Sequence, residues 1–141
     1  MGLGKNTLAA LITRGCGEMM KLAVKLGAKP QTLSGLSGMG DLMLTCYSSL
    51  SRNRTVGHRL GKGEKLEEII ESMNEIAEGV ETSLAAEKLL EKYGIDSEQC
   101  PIILSVARIL KGDISPNETV DMLMNLPVDR EHEPFVWENF D

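Results

Sequence analysis

The stretch Asn6-Thr-Leu-Ala-Ala-Leu-Ile-Thr-Arg-Gly-Cys-Gly-Glu-Met-Met-Lys-Leu-Ala-Val-Lys-Leu26 decides the fold class. Its apolar positions, Leu8, Leu11, Ile12, Gly15, Met19, Leu22, Ala23 and Leu26, recur at a spacing of three and four, which puts one stripe on one helix face. Gly27 is placed to stop this helix and Pro30 to begin a new segment. The same period returns downstream. Arg52–Leu60 reads as a short helix capped by Ser51 and closed by Gly61-Lys62-Gly63. Leu66–Met73 follows, with Leu66, Ile69, Ile70 and Met73 as its buried stripe. Glu81–Tyr93 carries Leu84, Ala85, Lys88 and Leu89, and Gly94 is its C-terminal cap. Pro101 and Pro116 suit the first turns of two more helices, reaching about Lys111 and Leu126. Between the first helix and this series, Gly35–Gly40 reads as loop-rich or tightly packed, with Leu42, Met43, Leu44 and Cys46 buried behind it.

Alternating strand patterns are nearly absent. The expected fold is therefore all-α, a compact bundle of roughly six or seven helices over residues 1–126. An acidic, loosely docked tail spans residues 127–141, where Phe135, Val136, Trp137 and Phe140 can cover an apolar patch. The chain's 141 residues suit one domain, and roughly two-thirds of the unfolded surface can be buried at that size. Leu8–Ile12 and similar apolar runs are too short to cross a bilayer.

Fifteen basic against twenty-one acidic residues leave a net charge of −6, which argues against a sequence-independent grip on nucleic acid. Any anionic ligand needs a local basic cluster. Cys16, Cys46 and Cys100 are odd in number and form no Cys-x-x-Cys pair, so each is expected to be a small, buried or half-buried apolar residue. With only His58 and His132 beside them, no metal site is expected. The opening Met1-Gly2-Leu3-Gly4-Lys5-Asn6 lacks the apolar core of a secretory leader, and an intracellular, reducing compartment is expected. The methionines fall mostly on buried faces, as core filler.

One constellation has the chemistry of a ligand site: Gly38-Met39-Gly40-Asp41, then Thr45-Cys46, then Ser51-Arg52-Asn53-Arg54. Ser51 as N-cap would leave first-turn amides pointing outward at the positive end of the helix dipole. Arg52 adds a planar fork able to grip two phosphate oxygens, and Asn53 a donor for a phosphate or hydroxyl oxygen. Asp41 can accept from a substrate hydroxyl. On pattern alone the same residues also describe a capped surface helix with solvated arginines. A second segment, Glu75-Ile76-Ala77-Glu78-Gly79-Val80-Glu81-Thr82, reads on pattern as an ordinary capped connection between helices. Gly2-x-Gly4 and Gly38-x-Gly40 do not complete a dinucleotide fingerprint, and neither follows a strand.

Taken in order, Asn6–Gly15, Gly38–Cys46, Ser51–Arg54, Glu78-Gly79 and Pro101-Ile102 resemble the NAD(P)-dependent glycerol-3-phosphate dehydrogenases, nearer their bacterial and plant-plastid branch. The resemblance covers roughly residues 2 to 126. It implies the C-terminal domain of a Rossmann-type dehydrogenase, without the cofactor domain, from an enzyme interconverting dihydroxyacetone phosphate and sn-glycerol 3-phosphate. It further implies that Asp41, Thr45, Ser51, Arg52 and Asn53 meet the substrate, and that Arg52, Ile76 and Glu78 meet the cofactor. NAD or NADP would be bound mainly by an N-terminal Rossmann domain. A homodimer is implied when the enzyme is complete, in the cytoplasm or, in a photosynthetic eukaryote, the plastid. Lys5-Asn6 imitates the family's base-bearing dipeptide, but Asn6-Thr7 aligns with a later Asn-Thr, so no general-base lysine is expected in this chain. Its catalytic complement is then empty, with Asp41 a supporting polar residue. Two other readings stay open: a non-catalytic helical module binding a partner through an exposed cleft face, and nucleic-acid contact through Arg52, Arg54, His58 and Arg59, which the net charge opposes.

Overall fold

The computed structural model describes residues 4–125. Across them the chain forms eight α-helices and one π-helical turn, with no strand among the described residues. The helices are α1 (Lys5–Lys25), α2 (Pro30–Ser34), α3 (Asp41–Tyr47), α4 (Arg52–Leu60), α5 (Leu66–Glu71), α6 (Gly79–Tyr93), α7 (Pro101–Lys111) and α8 (Pro116–Met124), and the π-helical turn is Leu36–Gly40. The all-helical class expected from the period is what is found. The count rises to eight because the short α2 and α3 are too brief to show a period of their own. The tail at 127–141 and Leu126 lie outside the described residues.

Local signals set most boundaries. Gly27 and Gly94 follow α1 and α6 with positive φ, the backbone that glycine adopts freely. Pro101 and Pro116 open α7 and α8, where a missing N–H costs nothing. Ser115 and Glu118 complete a reciprocal capping box on α8, and the bond from Ser115 holds the Glu118 carboxyl below the usual range. The glycine-rich segment is the tightly packed alternative, not a loop. A Cβ on Gly38 would sit 2.1 Å from the Leu33 carbonyl oxygen, so only glycine lets the π-helical turn rest on α2.

Packing divides the interior into two clusters. Val56, Ile69 and Ala77, with Leu60, Leu66, Met73 and Val80 around them, join α4, α5 and the start of α6. Leu90, Ile95 and Cys100, with Leu22, Ile103 and Leu104, join α1, α6 and α7. Several expected core residues are corrected. Met43 and Leu44 are 46% and 69% exposed, and Leu42 and Cys46 only half-buried, because α3 packs on one side alone, against the π-helical turn, α1 and α4. Ile70 is exposed while its neighbour Ile69 is fully buried, since a step of one residue turns the side chain about 100° around the axis. In α6 Leu90 takes the core position, with Ala85 and Lys88 outside, because its inner face is chosen by α7 and Ile95. Leu26, beyond the last turn of α1, is exposed. Cys16 and Cys100 are buried and Cys46 half-buried, as their type implies.

The long-range tie is a charged residue inside. Glu18, in the middle of α1, is 2% exposed. Its Oε1 accepts from the Ile102 N–H and its Oε2 from the Ile103 N–H, both at 2.9 Å. Cys100 at the N-cap of α7 gives no side-chain cap, and Pro101 has no N–H. The two donors left without partners at the start of α7 are thus satisfied by a carboxylate from another helix, at the end where the dipole favours negative charge. Burial pushes the Glu18 carboxyl above its ordinary value near 4.5, although the two amides pull it down. Burial, aided by the charge of Glu18, pushes the Cys100 thiol up to about 11.

Because the folded carboxyl holds its proton more tightly than the unfolded one, its contribution is fully present below pH 4.5 and is lost as pH rises through the raised value. Glu18→Gln keeps one acceptor but sets an NH2 against the second amide, and should cost about 1–3 kcal/mol. Urea unfolding of both proteins from pH 4 to pH 7 should show this cost shrinking as pH rises. A cost that grows with pH would reverse the assigned direction.

Candidate functional site

The start of α4 is built by its own sequence. Ser51 Oγ accepts the Arg54 N–H at 3.2 Å. The cap is satisfied at the third helical residue, leaving the Arg52 and Asn53 amides without an intrahelical acceptor. This helix start borders an open groove of about 300 Å³ lined by Thr45, Ser51, Arg52, Asn53, Ile76 and Glu78, with Leu44, Ser48 and Leu50. Six of the seven residues singled out from the sequence therefore share one surface. Asp41 is not part of that lining. It opens α3 as an exposed residue, one turn before Thr45.

Two side-chain contacts hold the groove's walls together. Asn53 Oδ1 accepts from the Gly79 N–H at 3.0 Å, tying α4 to the first residue of α6. Since that partner can only donate, the oxygen side of the amide is settled and the Nδ2 side is the one available to a ligand. Gly79 has no room for a side chain, as a Cβ there would lie 2.6 Å from Asn53 Cγ. Arg52 Nη1 donates to Glu75 Oε2 at 2.6 Å, between side chains that are 51% and 70% exposed. The Glu75–Thr82 segment is thus a wall of the groove as well as a connection. Glu75 itself was not among the residues picked from sequence. An acidic residue in a turn has no local signature of its distant arginine.

The neighbouring basic residues are used differently. Arg59 donates to Glu64 Oε2 at 2.7 Å and to Ser72 Oγ at 2.6 Å, binding the turn after α4 to the end of α5. This guanidinium holds the Glu64 carboxyl below the usual range. Arg54 and His58 line a separate groove with Thr45, Cys46 and Tyr47. A largely apolar cavity of about 460 Å³ among α1, α4, α6, α7 and α8 has no titratable residue in its lining. Among the described residues no helix is long and apolar enough to cross a membrane.

The structure is an all-helical domain with an arginine-led, serine-capped helix start beside an open cleft. Comparison with known proteins gives the family. Residues 1–121 match the family described as NAD-dependent glycerol-3-phosphate dehydrogenase C-terminus, and the chain belongs to it. It is 55% identical over 127 residues to the chloroplastic glycerol-3-phosphate dehydrogenase [NAD(+)] of Oryza sativa subsp. japonica, covering 90% of this chain and 28% of that protein. It is 52% identical over 127 residues to the chloroplastic glycerol-3-phosphate dehydrogenase [NAD(+)] 2 of Arabidopsis thaliana, covering 90% and 30%. The glycerol-3-phosphate dehydrogenase [NAD(P)+] of Leptospira biflexa is 51% identical over 131 residues, covering 93% and 38%. The chain thus spans between 28% and 38% of the length of these curated relatives.

Gly79→Ala should push the Asn53 side chain off the α6 start and lower the unfolding free energy by about 0.5–1.5 kcal/mol, the net worth of one hydrogen bond. Urea denaturation and the Asn53 side-chain amide resonance report this together. Unchanged stability with an unmoved resonance would refute the contact.

Proposed function

We propose that the groove at the start of α4 holds the phosphate end of sn-glycerol 3-phosphate or dihydroxyacetone phosphate, as the substrate-side domain of an NAD(P)-dependent dehydrogenase. The observation that carries this reading is the convergence of Thr45, Ser51, Arg52, Asn53, Ile76 and Glu78 on one groove at a helix N-terminus. Each has a physical role there. The Arg52 fork and the outward amides of Arg52 and Asn53 neutralise a dianion. Asn53 Nδ2 donates to a phosphate or hydroxyl oxygen. Thr45 and Asp41 lie one turn apart on α3, where Asp41 can accept from the substrate's hydroxyl.

The residues also fit one edge of a nicotinamide dinucleotide. Ile76 is 74% exposed beside the charged Arg52 and Glu78, a mixed apolar and polar rim. No glycine-rich turn after a strand is present among the described residues, so under this reading the bulk of NAD or NADP is held by a Rossmann domain outside these 141 residues. When bound, that cofactor supplies or accepts the hydride. This chain's residues anchor the phosphate, and the anchoring holds the reacting carbon in place, where fixed geometry is worth several kcal/mol of barrier. No proton transfer is assigned to a residue of this chain. Lys5 opens α1 and does not line the groove. Exposed Leu44, Leu50 and Ile76 suit contact with the cofactor domain, and assembly as a homodimer belongs to the same reading. Its compartment is the cytoplasm or, in a photosynthetic eukaryote, the plastid.

Titrating sn-glycerol 3-phosphate into the isotopically labelled chain should shift the amide resonances of residues 51–54. Arg52→Ala should weaken binding at least about tenfold, the scale of a charge-assisted hydrogen bond. Joined to a nicotinamide-binding domain, the same substitution should lower kcat/KM by a similar factor. An effect under about twofold would remove Arg52 from the site. The 141 residues alone should not oxidise NADH with dihydroxyacetone phosphate, and turnover that requires Lys5 would overturn its placement.

A further inference from the structure

We propose that Glu75 is a built-in competitor of the ligand, holding the Arg52 guanidinium until a phosphate displaces it and so setting the groove's affinity for phosphate esters. This rests on the reading of the groove as a phosphate site. Arg52 Nη1 meets Glu75 Oε2 at 2.6 Å, so a carboxylate oxygen already takes one of the guanidinium's terminal donors. A phosphate that takes this donor displaces the carboxylate.

The arrangement around Glu75 makes the exchange local. On one flank Ser72 is held by Arg59, and Met73 packs on the Val56, Ile69 and Ala77 cluster. On the other flank Ala77 is buried in that cluster and Gly79 is bonded to Asn53. Between Met73 and Ala77 the three residues Asn74, Glu75 and Ile76 are all exposed, so the carboxylate can swing away by side-chain rotation while the anchors on either side hold the backbone. Glu78 lines the same groove without an ion pair to Arg52, which singles out Glu75 as the competitor.

Magnitudes favour displacement. The pair is a single contact between two side chains that are each more than half exposed, and such pairs are weak. A phosphate dianion can take two guanidinium donors at once and reach the amides of Arg52 and Asn53 as well. The ligand therefore wins, at an affinity reduced by what the Glu75 contact was worth.

Binding of inorganic phosphate and of sn-glycerol 3-phosphate to this chain, measured by calorimetry, tests the proposal with four variants. Glu75→Gln should tighten both about two- to fivefold, the range of an exposed ion pair. Glu98→Gln, which removes the same charge from the exposed turn after α6, should leave both unchanged. Arg52→Ala should abolish binding, alone and combined with Glu75→Gln. Equal tightening by Glu98→Gln would reduce the effect to net charge and overturn the proposal. So would an unchanged or weaker affinity in Glu75→Gln. If Arg52→Ala leaves phosphate binding intact, the phosphate reading of the groove itself falls, an outcome distinct from the failure of Glu75 alone.

Discussion

A carboxylate from the middle of the first helix, buried against the opening of the seventh, is the constraint on which the arrangement depends. Glu18 lies 84 and 85 residues before the amides it accepts from. No local cap is available at that helix start, where a cysteine precedes a proline. Two buried N–H groups without partners would cost several kcal/mol, a large share of a domain's net stability. The bond therefore fixes the register of α1 against α7. Leu22, Ile103 and Leu104 then pack around Leu90, Ile95 and Cys100, and α6 is placed through that cluster.

Placement of α6 in turn builds the groove. Its first residue, Gly79, donates to Asn53, and the segment before it brings Glu75, Ile76 and Glu78 opposite the start of α4. The two motifs, some 26 residues apart in sequence, meet through one side-chain oxygen and one glycine with no Cβ to obstruct it. Packing beneath this point is apolar, with Val56, Ile69 and Ala77 holding both walls from below. Charge is confined to the rim. Division of labour among the arginines follows: Arg59 is spent on Glu64 and Ser72, while Arg52 pairs with the exposed Glu75.

Much of the fold was legible because its signals are local. A cap such as Ser51, a proline at a first turn, and a glycine after a last turn act within four residues, so they read directly from the chain. Burial was read less well. Leu44 and Met43 look like core residues by type, yet α3 has a neighbour on one side only. In α6 the period points to Leu89, and contact with α7 puts Leu90 in the core instead. The groove residues came partly from their chemistry and partly from family resemblance, and six of the seven converge. Asp41 stands apart from them at the head of its helix.

The sequence by itself determined that this chain is helical, where most helices start and stop, and which helix start carries a serine cap followed by arginine and asparagine. These are properties of short segments, governed by hydrogen bonds and periodicity over one or two turns. Tertiary structure alone decided that Glu18 would cap α7, that Asn53 would reach Gly79, and that Glu75 would sit on Arg52. Each joins groups more than twenty residues apart, and whether two such groups meet depends on how packed helices are oriented, which no local pattern encodes.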